Sequence, residues 1–165
     1  DRGNLSLPHH KHFFPSHPGW FEDAWFHAGR PGFELATLAG LSVGVLLCTE
    51  LMFNERARAY GRAGADLIVA PRASGTTTKN WRMAAAMAAL VSGSYVVSSN
   101  RAGRVDGGDQ VFGGASLAFA PGGDPIGETS AADPVLSFTL DPALAAQRRG
   151  QYPCDVDETP RIAAA

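Results

Sequence analysis

The sequence predicts an α/β layered fold in which a sheet is covered by helices on at least one face. Short apolar runs rich in Val, Leu and Ile recur at 40–48, 66–71 and 95–100. Two segments of helical character, 54–65 and 81–92, separate them. Strand-like stretches joined by a tight turn then follow up to residue 141. Strands alternating with helices imply crossover connections, and the closing run reads as antiparallel.

Residues 1–32 are rich in His, Pro, Gly and aromatics without periodicity, and read as an ordered but irregular loop segment. "GLSVGVLLC" (40–48) is bounded by Gly40 and reads as a buried strand ending at Cys48. In "NERARAYGRAGA" (54–65), Ala57, Tyr60 and Ala63 fall near helical spacing, with Asn54 as N-cap and Gly64 as the stop. "DLIVAP" (66–71) is the second strand and "SGTTTKN" (74–80) a loop. "WRMAAAMAALVS" (81–92) is a helix on its alanine content, closed by Gly93. "YVVSSN" (95–100) is the third strand, and "RAGRVDGGDQVFGG" a Gly-rich loop. "ASLAFAPGGDPIGET" reads as a hairpin about its PGGD turn. "PVLSFTLD" (134–141) alternates and reads as a half-buried strand, followed by a tail with a short helical piece.

The 165 residues, 45% hydrophobic and 18% charged, suffice for one domain with a core. A net charge of -2 gives no electrostatic case for nucleic acid or an anionic membrane, and no apolar run reaches bilayer length. No basic region followed by an apolar one opens the chain, so no signal peptide is expected. Cys48 and Cys154 make no disulfide framework; reduced thiols and a cytoplasmic location are the expectation. The sequence starts at Asp1 without Met, and reads as a fragment or a trimmed product.

Alone, Cys48 is either a small buried hydrophobe or a nucleophile. Its place at the end of a strand, before a turn into a helix, would fix it rigidly yet let it reach a cleft lined by backbone N–H groups. A thiolate needs a base or cation nearby, and Lys11 in "LPHHKHFFP" is the candidate cation. His9, His10, His12 and His17 surround it, but irregular spacing and the lack of a carboxylate pair or a Cys ligand leave no metal site. Glu22 in "PGWFEDAWF" is either solvated or held in an aromatic pocket. Glu50 and Glu55 follow the cysteine, Glu50 as a supporting contact and Glu55 at a helix start. Asn100 and Arg101, after a strand, either bind substrate or close a turn.

These blocks resemble the carbon–nitrogen hydrolase (nitrilase) superfamily over about residues 5–141. "HHKHFFP" is similar to its lysine motif, "PGWFEDAWFHAG" to its glutamate-bearing aromatic loop, and "GVLLCTELMFNERARAYGRAGADLIVAP" to its nucleophile block. "YVVSSNRAG", "FGGASLAFAPGGDPIGE" and "VLSFTLD" follow in family order. The spacing from Lys11 through Glu22 to Cys48 looks most like the N-carbamoylputrescine amidase-like branch. The resemblance implies part of a four-layer α-β-β-α sandwich with its N-terminal half missing. It divides the chain into a lysine and glutamate loop segment (1–39), a core (40–141) and a tail (142–165). It also implies that Cys48 attacks an amide or carbamoyl carbon, that Lys11 and the Thr49 N–H hold the oxyanion, and that Glu22 is a further active-site carboxylate. The expected ligand is a small-molecule amide or carbamoyl compound, with no cofactor or metal, no nucleic acid and no membrane, and the family form is expected to be a homo-oligomer. The family's general base is a glutamate before the lysine motif, where only Asp1 is acidic here. A catalytically incomplete binding or dimerisation module is therefore the alternative expectation, with acyl transfer a third.

Overall fold

A computed structural model describes residues 8–29, 32–105, 108 and 111–158. Its centre is a six-stranded mixed sheet in the order β10-β9-β6-β5-β4-β3. β4 (Leu41–Val45), β5 (Leu67–Val69) and β6 (Tyr95–Ser98) run parallel and are the three apolar runs. α1 (Asn54–Arg62) connects β4 to β5, and α2 (Lys79–Ser92) connects β5 to β6. The two helices pack on each other and on one face of the sheet. Leu46, Leu51, Tyr60, Ile68, Ala85, Ala89 and Val96 fill the space between. β9 (Leu117–Phe119) and β10 (Pro125–Glu128) extend the sheet antiparallel beyond β6, as the PGGD turn predicts. α3 (Pro142–Arg149) opens with Asp141, whose carboxylate accepts from the Ala143 N–H at 2.9 Å.

Glycine and one tyrosine set how closely these layers meet. A Cβ on Gly44 would lie 2.8 Å from the Tyr60 ring, so only glycine lets that ring rest on β4. The Tyr60 hydroxyl donates to the Val45 carbonyl at 2.9 Å and accepts from the Val45 N–H at 3.2 Å. It thereby completes β4 beyond the last residue paired with β3 (Ala36–Leu38). A Cβ on Gly61 would sit 2.3 Å from the Ser92 carbonyl oxygen, so Gly61 sets the distance between α1 and the end of α2.

Several elements differ from expectation. β3 was not foreseen; it hairpins onto β4 through Ala39 and Gly40, both at positive φ, as a two-residue turn requires. Short pairs also form in segments read as loops: β1 (Ser16–His17) with β2 (Trp20–Phe21), and β7 (Ala102–Arg104) with β8 (Val111–Gly113). Asn54 is not an N-cap: the chain enters from a 3-10 turn, Phe53 occupies the cap position, and Asn54 is already helical. Ala63 is exposed, and Gly61 rather than Ala63 joins Ala57 and Tyr60 on the buried face of α1. Residues 134–141 form no strand. The segment runs over the face without helices, where two of its apolar side chains find contacts: Leu136 packs on Gly127 and Phe138 stacks on Tyr95 at 6.2 Å.

That face carries Val43, Val45, Leu67, Val69 and Val97, the residues that alternate with the core-facing Gly44, Ile68 and Val96. Residues 134–138 cover part of it and frame a cavity of about 450 Å³ against Val69, Val97 and Ala118. The described chain is thus helices on one side of a sheet. Among the described residues, no helix is long and apolar enough to cross a membrane.

Candidate active site

β4 ends at Val45, but its pairing with β5 continues. The Leu46 N–H donates to the Val69 carbonyl and the Cys48 N–H to the Pro71 carbonyl, both at 3.0 Å. The ladder then stops because Cys48 takes φ +52°, a left-handed conformation that cysteine rarely adopts. A 3-10 turn, Cys48–Met52, leads from there into α1. Cys48 therefore starts the turn rather than ending the strand. A strained residue between strand and helix is held by its surroundings and lifts its side chain out of the sheet.

The half-buried Cys48 and Thr49 line a cleft of about 260 Å³, whose other walls include His17, Trp20, Ser74, Gly75 and Trp81. Lys11 and Glu22 form an ion pair, and with His10, Phe14, Phe26 and His27 they line a second cleft of about 300 Å³. The segment 14–22, which carries β1 and β2 and the turn between them, contributes to both clefts. The structure thus brings Lys11 to Glu22 and Cys48 to Thr49, in neighbouring depressions.

Glu50 joins the two segments from behind. It is 0% exposed. One carboxylate oxygen accepts from the Leu47 N–H at 2.7 Å and from His9 Nε2 at 2.8 Å; the other accepts from the His12 N–H at 2.6 Å. The bond to Leu47 is half of a capping box for the 3-10 turn. The bonds to the His9 ring and the His12 N–H tie the segment that carries Lys11 to the 3-10 turn. Burial pushes the Glu50 pKa up, but the His9 bond and the two backbone N–H donors outweigh it and hold the carboxyl below its ordinary value.

Asn100 faces inward rather than into a cleft. Its side-chain oxygen accepts from the Ser74 N–H at 2.9 Å and its amide donates to the Gly114 carbonyl, so it shapes the wall that Ser74 gives to the Cys48 cleft. Arg101 is exposed, with its guanidinium 4.5 Å from the centre of the Phe112 ring, which meets Trp20 edge-on. Two polar residues beside the site were not singled out from sequence. His9 is the partner of Glu50, and its signal was its place in the histidine run beside Lys11. Arg72 is buried behind the Cys48 cleft, and its signal was its position just past the end of β5, where side chains in such sheets meet ligands. Among the described residues, no group of His, Cys, Asp and Glu is arranged to hold a metal ion.

The family model described as carbon–nitrogen hydrolase matches residues 1–149. An N-carbamoylputrescine amidase from Arabidopsis thaliana is 30% identical over 148 residues, covering 79% of this chain and 50% of the relative. An omega-amidase from Xenopus tropicalis is 31% identical over 113 residues, covering 67% of this chain and 41% of the relative. The chain spans about half the length of these curated relatives. A carbon–nitrogen hydrolase from Helicobacter pylori G27 superposes with a TM-score of 0.79 at 23% identity, over 87% of this chain and 55% of that one, and shows the shared α/β fold. An amidase mutant from Nesterenkonia sp. AN1 superposes with a TM-score of 0.64 at 28% identity, over 73% of this chain and 46% of that one. Its active-site cysteine carries the product of Michael addition of acrylamide.

Proposed function

The chain belongs to the carbon–nitrogen hydrolase family, and on that premise we propose that Cys48 is the nucleophile for hydrolysis of a non-peptide C–N bond in a carboxamide or N-carbamoyl amine. The observation that carries this reading is Cys48 at φ +52° on a strand-to-helix turn, its side chain lining a cleft. The thiolate attacks the carbonyl carbon, and the tetrahedral oxyanion is received by the Lys11 ammonium and the Thr49 N–H. Collapse, as the leaving nitrogen takes a proton from water in the cleft, expels ammonia and leaves a thioester. Water then attacks the thioester and frees the acid and the thiol; a carbamoyl substrate ends as carbon dioxide and the amine. Glu22, paired with Lys11, orients the lysine and the attacking group, and substrate bridges the two neighbouring clefts. Arg101 reaches the substrate from the Phe112 side, while Asn100 acts through Ser74. All of these steps use side chains, backbone and water.

In this reading the valine-rich face of the sheet is where the second sheet of a four-layer sandwich packs, in a cytoplasmic homo-oligomer. A second reading takes the chain alone as catalytically incomplete, binding without turnover. It is favoured by the chain's spanning about half the length of its relatives. Incubation with a panel of carboxamides and N-carbamoyl amines, with ammonia followed over time, separates the two. Release that disappears in Cys48→Ala supports the hydrolase. A stable adduct on Cys48 without release supports the incomplete module. Release that survives Cys48→Ala refutes the role given to Cys48.

A further inference from the structure

Two charged side chains are buried among the described residues, Glu50 and Arg72. Glu50 is answered by His9. Arg72 is 6% exposed, and among the described residues no carboxylate pairs with it. Its Nε donates to Ser98 Oγ at 2.9 Å, Nη2 to the Ala115 carbonyl at 2.7 Å and Nη1 to Ser74 Oγ; the guanidinium also lies 5.0 Å from the centre of the Trp81 ring. Every acceptor is neutral. A buried cation with no carboxylate bonded to it is costly, and a nearby anion offsets part of that cost.

The position of Arg72 says where that anion belongs. Ser74 and Trp81, which it touches, are walls of the Cys48 cleft. The Cys48 N–H bonds to the carbonyl of Pro71, the residue before Arg72. Burial pulls the guanidinium's pKa down, and the negative charges of Cys48 and Glu128 push it back up. The remaining charges around the cleft are largely cancelled or in water. Lys11 is paired with Glu22, Glu50 with His9 and Glu128 with Arg82, while Arg101 is exposed and His17 sits on the cleft wall.

We propose that Arg72 is the fixed positive charge of the Cys48 cleft and a specificity-determining residue, selecting amides that carry a carboxylate near the scissile carbonyl over neutral or cationic ones. The proposal rests on the reading of Cys48 as the group that meets substrate. The charge acts through protein rather than solvent, so its field in the cleft is weakly screened. Specificity then comes as much from repelling a cationic ligand as from attracting an anionic one.

The test needs no turnover, so its failure is distinct from failure of the hydrolase reading. Cys48 is alkylated with anionic iodoacetate and, separately, with neutral iodoacetamide, and the rates are read at the Cys48 peptide by mass spectrometry. The ratio of the two rates cancels thiolate fraction and general access and keeps the local charge. The unmodified chain is expected to show a ratio several-fold higher when folded than in concentrated urea. Arg72→Lys is expected to keep the folded ratio within about twofold, and Arg72→Gln to lower it about fivefold, as loss of one weakly screened charge implies. A folded ratio at or below the unfolded one, or an unchanged ratio in a folded Arg72→Gln, overturns the proposal. Should Arg72→Gln not fold, the folded-to-unfolded comparison of the unmodified chain decides.

Discussion

Replacing Glu50 by glutamine changes one atom and breaks one side of a three-donor site. The wild-type carboxylate accepts from Leu47 and His9 on one oxygen and from His12 on the other. Glutamine has one acceptor oxygen. Turned toward Leu47 and His9, it presents its NH₂ to the His12 N–H, so two donors face each other out of water. An unmatched buried donor costs about 1–3 kcal/mol, and the lost charge weakens the remaining bonds. The expected loss in Glu50→Gln is about 2–4 kcal/mol, and Glu50→Ala, which strands three donors, loses about 3–6 kcal/mol. These are large fractions of a domain stability of about 5–15 kcal/mol. Urea unfolding followed by circular dichroism measures the loss. Hydrogen exchange locates it, because the Leu47 and His12 amides should lose protection before those of β5 and β6. The pH dependence has a defined sign. The Glu50 carboxyl sits below its ordinary pKa when folded, so its stabilisation is present above the unfolded value near 4.5 and is lost as pH falls below it. Glu50→Gln should flatten that acid limb. A glutamine variant within about 0.5 kcal/mol of wild type, with His12 protection intact, would refute the reasoning.

Three further outcomes follow from the packing. Gly61→Ala drives a methyl into the Ser92 carbonyl and should cost about 1–3 kcal/mol by thermal unfolding, whereas an exposed glycine-to-alanine change in a helix would stabilise. Burial raises the Tyr60 pKa to about 12, so stability should be intact below the unfolded value near 10 and fall by roughly 2–3 kcal/mol as pH rises from there to 12; Tyr60→Phe should lack this alkaline limb. Arg82→Ala removes an exposed pair with Glu128 and should change stability by less than about 1 kcal/mol, with the difference vanishing at high salt.

What could be read from the sequence was what neighbours in the chain decide. The runs that became β4, β5 and β6 are apolar enough to demand burial, and the alanine content of α2 with Gly93 at φ +65° marks a helix and its stop. What could not be read depends on distant partners. β3, β7 and β8 are three residues long, too short to carry a period. Residues 134–141 carry the alternation of a strand but lie across the helix-free face of the sheet, held there by Leu136 on Gly127 and Phe138 on Tyr95, rather than beside the edge strand β10. At the site, the cysteine block and the lysine and glutamate loop were visible, as was the turn that follows Cys48. Which of two adjacent histidines turns inward was not, because Glu50 chooses His9 from 41 residues away. Nor does the sequence show that Arg72 is buried, since Ser98 and Ala115 enclose it from beyond β5.

The role of Cys48 is tested most directly by trapping. The chain is incubated with acrylamide, which adds to the active-site cysteine of the Nesterenkonia amidase mutant, and the modified residue is identified by peptide mass spectrometry. Cys154 serves as the internal control: its thiol donates to the Leu90 carbonyl, and burial raises its pKa. Rapid, saturable labelling at Cys48 with slow labelling at Cys154, abolished at the first site in Cys48→Ala, is the predicted result. Labelling of Cys154 as fast as Cys48, or rates at Cys48 no different in folded and urea-unfolded chain, would contradict it.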